Sequence, residues 1–183
     1  MAQGRIACLL GPGFEDSEFR VPYDALKNAG YQVDIISMKA GTELKGYKGK
    51  ETVKAEKGID EVRAEDYQGV LIPGGHSPDQ IRKDKKIVEF VKKFDATKRP
   101  LAAVCHGPQV LLTARLVRGR TLTAWETVQG DLEQAGANVK DQEVVVDQNW
   151  ITSRKPEDLK AFSDALLNAL RTAEKGNRSE ARA

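Results

Sequence analysis

The stretch Leu101-Ala102-Ala103-Val104-Cys105-His106-Gly107-Pro108 decides how the rest of the chain is arranged. Its first four residues are all apolar, which is typical of a strand buried on both faces of a parallel sheet. Gly107 and Pro108 then open a helical pattern over 109–116. Proline is tolerated in a first helical turn because its missing N–H would have no partner there. The sequence therefore predicts a sharp strand-to-helix turn at Cys105.

A cysteine at such a turn has the geometry of the nucleophile elbow of hydrolases, with a thiol in place of the serine hydroxyl. The N-terminus of the following helix favours negative charge and so stabilises a thiolate at Cys105. His106 is adjacent and is a candidate general base. The alternative is that Cys105 only packs in the core, because free cysteine is among the most buried residue types.

Length and charge indicate a single domain without a dedicated nucleic-acid surface. The 183 residues carry 29 Lys and Arg against 27 Asp and Glu, and neither sign forms a long block. A nucleic-acid binder usually has a basic stripe, so this class is not favoured. We expect one domain over 1–173 and a flexible, polar C-terminal tail over 174–183.

Cysteine use and hydropathy indicate a protein of the cytoplasm. The two cysteines, Cys8 and Cys105, form neither a disulfide framework nor a zinc motif, and a free catalytic thiol fits a reducing compartment. The first residues lack a signal-peptide core, and no apolar run approaches the roughly 20 residues of a membrane span. We expect a cytoplasmic location, no membrane partner, no metal and no cofactor.

Apolar runs alternate with helical patterns along the chain. Strands are predicted over 5–10, 31–37, 69–72, 101–104 and 121–124, a hairpin excursion with a short edge strand over 39–66, a second hairpin over 143–152, and helices over 19–29, from 79 or 84 to 96, over 109–116, over 126–135 and from 156 onwards. The alternation predicts a parallel sheet with helices on both faces. Ligands bind such sheets outside the carboxyl ends of the strands.

Three loops meet at that edge: 13–18, 73–79 and Cys105-His106. Gly74 and Gly75 have no side chains, so their N–H groups can approach a reacting oxygen and stabilise an oxyanion. The alternative is a plain tight turn after a strand.

The loops resemble those of the DJ-1/PfpI superfamily, and closely its PfpI-like branch (peptidase C56) of stress proteins and deglycases. The resemblance is carried in order by Gly13-Phe14-Glu15-Asp16, by Pro73-Gly74-Gly75-His76-Ser77-Pro78-Asp79, by 103–109, and by 143–147 with 152–154. It covers nearly the whole chain. It implies a flavodoxin-like three-layer sandwich with a mostly parallel central sheet, and it implies that Cys105 is the nucleophile.

The resemblance also assigns the residues around the sulfur. It implies a carboxyl partner at Glu15, which stays protonated when partly desolvated and donates a hydrogen bond to the thiolate. His76 and Trp125 are implied to line the substrate site. Without the resemblance, the local pattern favours an exposed acid near a helix start for Glu15 and a core position for Trp125.

Peptidase relatives complete a Cys-His-acid set across a subunit interface. The acid there is Glu, and Asp79 stands at the matching position, one methylene shorter, which is unfavourable for a peptidase-type relay. The resemblance implies a homo-oligomer, a dimer or hexamer, with Asp79 at the interface.

The implied activity is that of a cysteine-dependent hydrolase or lyase. Its substrates would be small carbonyl compounds, or proteins and nucleotides glycated by glyoxal or methylglyoxal. Two alternatives are an intracellular cysteine peptidase and a non-enzymatic redox-sensing stress protein or chaperone. The combination of Glu15, His106 and the glycine pair favours an enzyme, since a sensor would need only Cys105.

Overall fold

The computed structural model describes residues 4–182, which build a seven-stranded main sheet enclosed by helices and two separate two-stranded sheets, β3–β4 and β8–β9, whose bounds follow. The strands are β1 (Arg5–Leu9), β2 (Gln32–Ser37), β3 (Glu43–Lys45), β4 (Thr52–Lys54), β5 (Lys57–Gly58), β6 (Gly69–Ile72), β7 (Leu101–Val104), β8 (Thr121–Leu122), β9 (Asn138–Val139), β10 (Val145–Asp147) and β11 (Trp150–Ser153). The α-helices are α1 (Asp16–Asn28), α2 (Ser77–Ile81), α3 (Lys85–Ala96), α4 (Pro108–Thr113), α5 (Glu126–Gln134) and α6 (Leu159–Arg182).

In this part of the chain the main sheet has seven strands in the order β10-β11-β7-β6-β1-β2-β5. All neighbours are parallel except β10, which runs antiparallel to β11. The predicted parallel sheet with helices on both faces is therefore confirmed. Strand β4 pairs with β3 in a separate hairpin instead of joining the edge of the main sheet.

The side chains of the central strands divide the core into two layers. Ala7 and Leu9 of β1 pack with the apolar faces of α3, α4 and α5, while Ile6 and Cys8 pack with those of α1 and α6. Side chains of successive strand residues point to opposite faces, so an all-apolar strand supplies both layers. The fold is thus a three-layer sandwich, and Cys8, which is completely buried, belongs to its core.

Helix α1 begins three residues before the start predicted from the sequence. Glu15 is its N-cap, and its side chain accepts a hydrogen bond from the N–H of Glu18. The first turn therefore starts at Asp16 and includes Glu18, which lies outside the helix predicted over 19–29. Because successive residues of a helix are rotated by about 100°, the position of the helix start decides which acid faces the sheet.

The C-terminal segment 174–182 continues α6 as exposed helical turns. The Tyr31 hydroxyl donates a hydrogen bond of 2.9 Å to Glu174 at the start of this segment. The proposed tail boundary and its flexibility stay predictions, and residue 183 lies outside the described part. Among residues 4–182 no helix is long and apolar enough to cross a membrane.

Candidate active site

Cys105 occupies a strained turn between β7 and α4. Its φ angle is +63°, in the left-handed region that non-glycine residues seldom adopt. Two hydrogen bonds fix the turn: the N–H of Cys105 donates to Ser153 at 2.9 Å, and that of Gly107 donates to Val104 at 2.8 Å. A Cβ at Gly107 would lie only 2.6 Å from the carbonyl oxygen of Ile72. The strand-to-helix elbow predicted from the sequence is present, and strain of this kind is typical of functional sites.

The carboxyl group beside the sulfur belongs to Glu18. Glu18 is completely buried, and its Oε1 accepts a hydrogen bond of 3.0 Å from the N–H of Gly74. Its Oε2 is buried without a hydrogen-bond partner among residues 4–182, and the side chain neighbours the Cys105 thiol. Burial, reinforced by the nearby Glu15 charge, raises the pKa of Glu18 to about 8. At neutral pH this acid is therefore mostly protonated and able to donate to the sulfur.

Glu15, expected from the resemblance to be the carboxyl partner, holds the helix start instead. Its Oε2 accepts from the N–H of Glu18 at 2.8 Å and from the hydroxyl of Ser17, while its Oε1 meets the Lys48 ammonium at 2.9 Å. The expectation is thereby corrected, because the earlier start of α1 turns Glu18 towards Cys105. A signal for this was present in the sequence. The Glu15-x-x-Glu18 spacing, an N-cap followed by an acid three residues later, is that of a capping box.

The pKa of the Cys105 thiol depends on the proton of Glu18. Burial raises it, and an ionised Glu18 raises it further, whereas the N–H groups of His106 and Gly75 lower it. A protonated Glu18 removes the repulsion and supplies a hydrogen bond to the thiolate. The two groups therefore titrate as a pair, and proton loss occurs most easily from the sulfur while Glu18 keeps its own proton.

His106 lies beside the sulfur with its Nδ1 3.3 Å from Sγ. Burial lowers the pKa of His106, and the neighbouring His76 lowers it further against an opposing contribution from Asp79. The ring is therefore neutral at pH 7 and able to accept a proton. The Trp125 ring stacks on it with ring centroids 6.2 Å apart, and the backbone N–H of Trp125 donates to the carbonyl of Cys105 at 2.9 Å. Trp125 thus lies at the site and is only partly buried.

The two glycines after β6 have different surroundings. The N–H of Gly74 is already used by Glu18, so it is not free to hold an oxyanion, contrary to what the sequence suggested. Gly75 has a φ angle of +78°, and a Cβ there would lie 2.4 Å from the backbone nitrogen of Glu15. Its N–H and that of His106 are directed at the sulfur. These two groups are the oxyanion donors that the structure supports.

His76 and Asp79 line the same cleft as Trp125. The cleft has a volume of about 1060 Å³, and Cys105 lies at its floor. The ring of His76 packs edge-on against Tyr47, with centroids 5.4 Å apart. The carboxylate of Asp79 is paired with Arg82 at 2.7 Å and faces the same cleft as His106 of its own chain.

The β3–β4 hairpin brings Tyr47 and Lys48 to the mouth of this cleft. Its tip is held by the carboxylate of Asp16, which accepts hydrogen bonds of 2.8–2.9 Å from the N–H groups of Lys48, Lys50 and Glu51. Although burial opposes it, these three bonds lower the pKa of Asp16. Neither Asp16 nor Lys48 was predicted to contribute to the site, because the contact joins residues more than 30 positions apart.

Comparison with known proteins agrees with this geometry. The family model described as the DJ-1/PfpI family matches residues 4–169. The Escherichia coli protein named "Protein/nucleic acid deglycase 2" is 46% identical, over 91% of this chain and 97% of its own. Two Bacillus subtilis proteins are similarly related. "Putative cysteine protease YraA" is 47% identical over 91% of this chain and 98% of its own, and "General stress protein 18" is 44% identical over 91% and 97%.

Solved structures show the same architecture. A two-domain protein of Anabaena variabilis with DJ-1/ThiJ/PfpI-like and ferritin-like domains superposes with a TM-score of 0.90 at 38% identity, covering 91% of this chain and 48% of that one. Drosophila melanogaster DJ-1beta superposes with a TM-score of 0.82 over 96% of this chain and 97% of its own, and at 24% identity this supports the fold alone. With its matching family model, its elbow cysteine and its three-layer sandwich, the chain belongs to the DJ-1/PfpI family.

Proposed function

We propose that this protein is an enzyme that uses Cys105 as a nucleophile on reactive carbonyl compounds. Its substrates would be glyoxal and methylglyoxal, either free or as adducts on the amines of proteins and nucleotides. The observation that carries this is the arrangement at the elbow. A strained cysteine has a buried, protonated Glu18 carboxyl on one side and a neutral His106 at 3.3 Å on the other. This arrangement provides a nucleophile, an acid and a base around one sulfur.

The reaction needs no external oxidant. The thiolate adds to the aldehyde carbon of methylglyoxal, and the oxygen takes a proton to give a hemithioacetal. The remaining hydrogen of that carbon moves as a proton to the neighbouring ketone carbon, while the ketone oxygen is protonated and the first oxygen loses its proton, which gives a lactoyl thioester. Water then releases lactate and restores the thiol. An amine adduct carries a nitrogen and a hydroxyl on the former aldehyde carbon. The thiolate bonds to this carbon as the C–N bond breaks, and the nitrogen takes a proton and leaves as the free amine, which gives the same hemithioacetal.

The site residues have separate roles in these steps. Glu18 donates the hydrogen bond that favours the thiolate and then supplies a proton to the oxygen, while His106 accepts and returns the proton that moves between carbons. Gly75 and His106 direct N–H groups at the region where the negative oxygen develops. Trp125 and His76 line the cleft and contact the substrate.

The experiment measures lactate formed from methylglyoxal, and free amine formed from a methylglyoxal-treated lysine peptide. We expect Cys105→Ala to abolish both, with a loss of at least ~10³-fold. Cys8→Ala is the matched control and should retain both activities, because Cys8 is in the core, where burial raises the pKa of its thiol. Wild-type rates in Cys105→Ala would contradict the proposal.

A peptidase is the second candidate, and the neighbouring Cys105 and His106 together with the name of one B. subtilis relative favour testing it. A Cys-His-acid relay needs a carboxylate to orient His106. Asp79 is engaged by Arg82 within its own chain, which does not favour this role. Casein hydrolysis that is lost in Cys105→Ala, without lactate formation, would select the peptidase. If Cys105→Ala changes neither casein hydrolysis nor lactate formation, and Cys105 oxidises readily, the result would indicate a redox-sensing or chaperone role.

We place the protein in the cytoplasm as a homo-oligomer, a dimer or hexamer, that acts without metal or cofactor. The free thiols support the reducing compartment, since Cys8 and Cys105 form no disulfide. A stress-protective role is supported by the B. subtilis relative named as a general stress protein.

A further inference from the structure

The Glu15–Lys48 ion pair lies one contact away from the reacting sulfur. Glu15 is only 3% exposed, and its Oε1 meets Lys48 Nζ at 2.9 Å. Its other oxygen accepts the N–H of Glu18, which is the residue in contact with Cys105. A nearly buried carboxylate with a partly exposed ammonium therefore stands directly behind the acid of the site.

We propose that the Glu15–Lys48 ion pair is a positioning element of the active site, whose net charge sets how readily the adjacent Glu18–Cys105 pair loses its protons. The fixed negative charge of Glu15 opposes the ionisation of Glu18, and the positive charge of Lys48 offsets it. Neither residue touches the sulfur, so both act through the charge that they place beside the Glu18–Cys105 pair: uncompensated negative charge opposes the loss of a proton from either group.

The groups around Glu18 support this assignment. The titratable groups that face it are Glu15 from its own helix, Lys48 and Tyr47 from the hairpin, and Cys105 from the elbow. Of these, Glu15 acts to raise the pKa of Glu18 and Lys48 acts to lower it. On the far side of the sulfur stands His106, which is neutral at pH 7.

The hairpin carries Lys48, the residue that compensates the charge of Glu15. Lys48 is carried by a tip whose backbone is held by Asp16, while its side chain is 45% exposed at the mouth of the cleft. Three acids at the start of α1 thus connect the hairpin to the sulfur. Glu15 binds the Lys48 side chain, Asp16 binds the Lys48 backbone, and Glu18 contacts the thiol. Each of these three acids at the start of α1 therefore makes its own contact between the hairpin and the site.

The test is the pH dependence of Cys105 alkylation by iodoacetamide, followed by mass spectrometry of the Cys105 peptide. Lys48→Met leaves Glu15 uncompensated and should move the midpoint of the rate profile to higher pH, by roughly half a unit to one unit. Glu15→Gln removes the negative charge and should move the midpoint by a similar amount to lower pH. The double variant should return close to the wild-type midpoint.

Lys50→Met is the matched control, because Lys50 is on the same hairpin tip and exposed, and only its backbone contacts Asp16. Its midpoint should equal that of the wild type. Midpoints in Lys48→Met and Glu15→Gln that coincide with the wild type, or that move in the same direction, would overturn the inference. Circular dichroism of each variant identifies any loss of fold, and Lys48→Gln provides a second neutral side chain at the exposed position.

The inference rests on the proposed role of Cys105 as nucleophile, yet alkylation reports on the sulfur without any substrate. Opposite shifts of the midpoint with no lactate formation would uphold the ion pair and reject the proposed reaction. Unchanged midpoints with normal lactate formation would reject the role of the ion pair and uphold the proposed reaction.

Discussion

At the scale of single residues, Glu18 is a site where function and stability oppose each other. Its pKa is raised from 4.5 to about 8 in the folded protein, so the folded state holds a proton that the unfolded state has released. Because folding raises the pKa, the contribution of the protonated Glu18 side chain to the free energy of unfolding is fully present below pH 4.5. It is lost progressively as the pH rises towards 8. Burying this acid therefore destabilises the protein at neutral pH.

Glu18→Gln should remove this cost while keeping the shape of the side chain. At pH 7 we expect the variant to be more stable than the wild type by about 3 kcal/mol, with no difference near pH 4. Activity should fall because an amide cannot transfer a proton. Denaturant unfolding at pH 4, 6 and 8 measures the difference, with the exposed Glu126→Gln as control. A difference between variant and wild type that does not change with pH would contradict the assignment.

The sequence predicted the elbow well and its acid partner poorly, for physical reasons. The four residues before Cys105 have no polar face to offer to water, so their burial, and with it the turn, follows from local pattern. Which acid faces the sulfur depends on the helix start. The helix predicted over 19–29 does not contain Glu18, and the capping bond from the N–H of Glu18 to Glu15, which starts α1 at Asp16, turns Glu18 towards the sulfur.

At the scale of elements, the β3–β4 hairpin depends on one buried carboxylate. Asp16 accepts three backbone N–H bonds from its tip. In Asp16→Asn one oxygen becomes an NH₂ group that faces N–H donors, so we expect the hairpin to loosen by roughly 1–3 kcal/mol. Faster hydrogen exchange of residues 47–51, together with reduced alkylation of Cys105, would be the result. The control is Asp24→Asn, whose carboxylate is exposed and pairs only with Arg20.

The same carboxylate gives the hairpin a dependence on pH. Because the pKa of Asp16 is lowered by folding, its contribution is present above the ordinary value of 3.8 and is lost as the pH falls through the lowered one. Hydrogen exchange at the tip should therefore rise in acid before the rest of the sheet opens. The sequence predicted an excursion at 39–66 but not its anchoring, since a contact between residues 32–35 positions apart leaves no local pattern.

At the scale of the whole molecule, assembly is predicted to depend on the segment that carries Asp79. The Asp79 segment lies on the wall of the cleft and is predicted to meet a second copy of the chain. Asp79→Arg places a cation beside Arg82, which removes their pairing and should weaken association. Light scattering at micromolar concentration measures the mass, and Asp164→Arg on the exposed face of α6 is the control. A monomeric wild type would refute the prediction.

The left-handed backbone at Cys105 also limits how this chain can change over generations. With φ at +63°, β-branched side chains are strongly disfavoured there. A threonine nucleophile is thus disfavoured at this position. Serine differs from cysteine in one side-chain heavy atom, is compatible with the same backbone conformation, and can replace cysteine by a single base change. The backbone of the elbow thus disfavours a branched Cβ at this position before any substrate acts as a selective pressure.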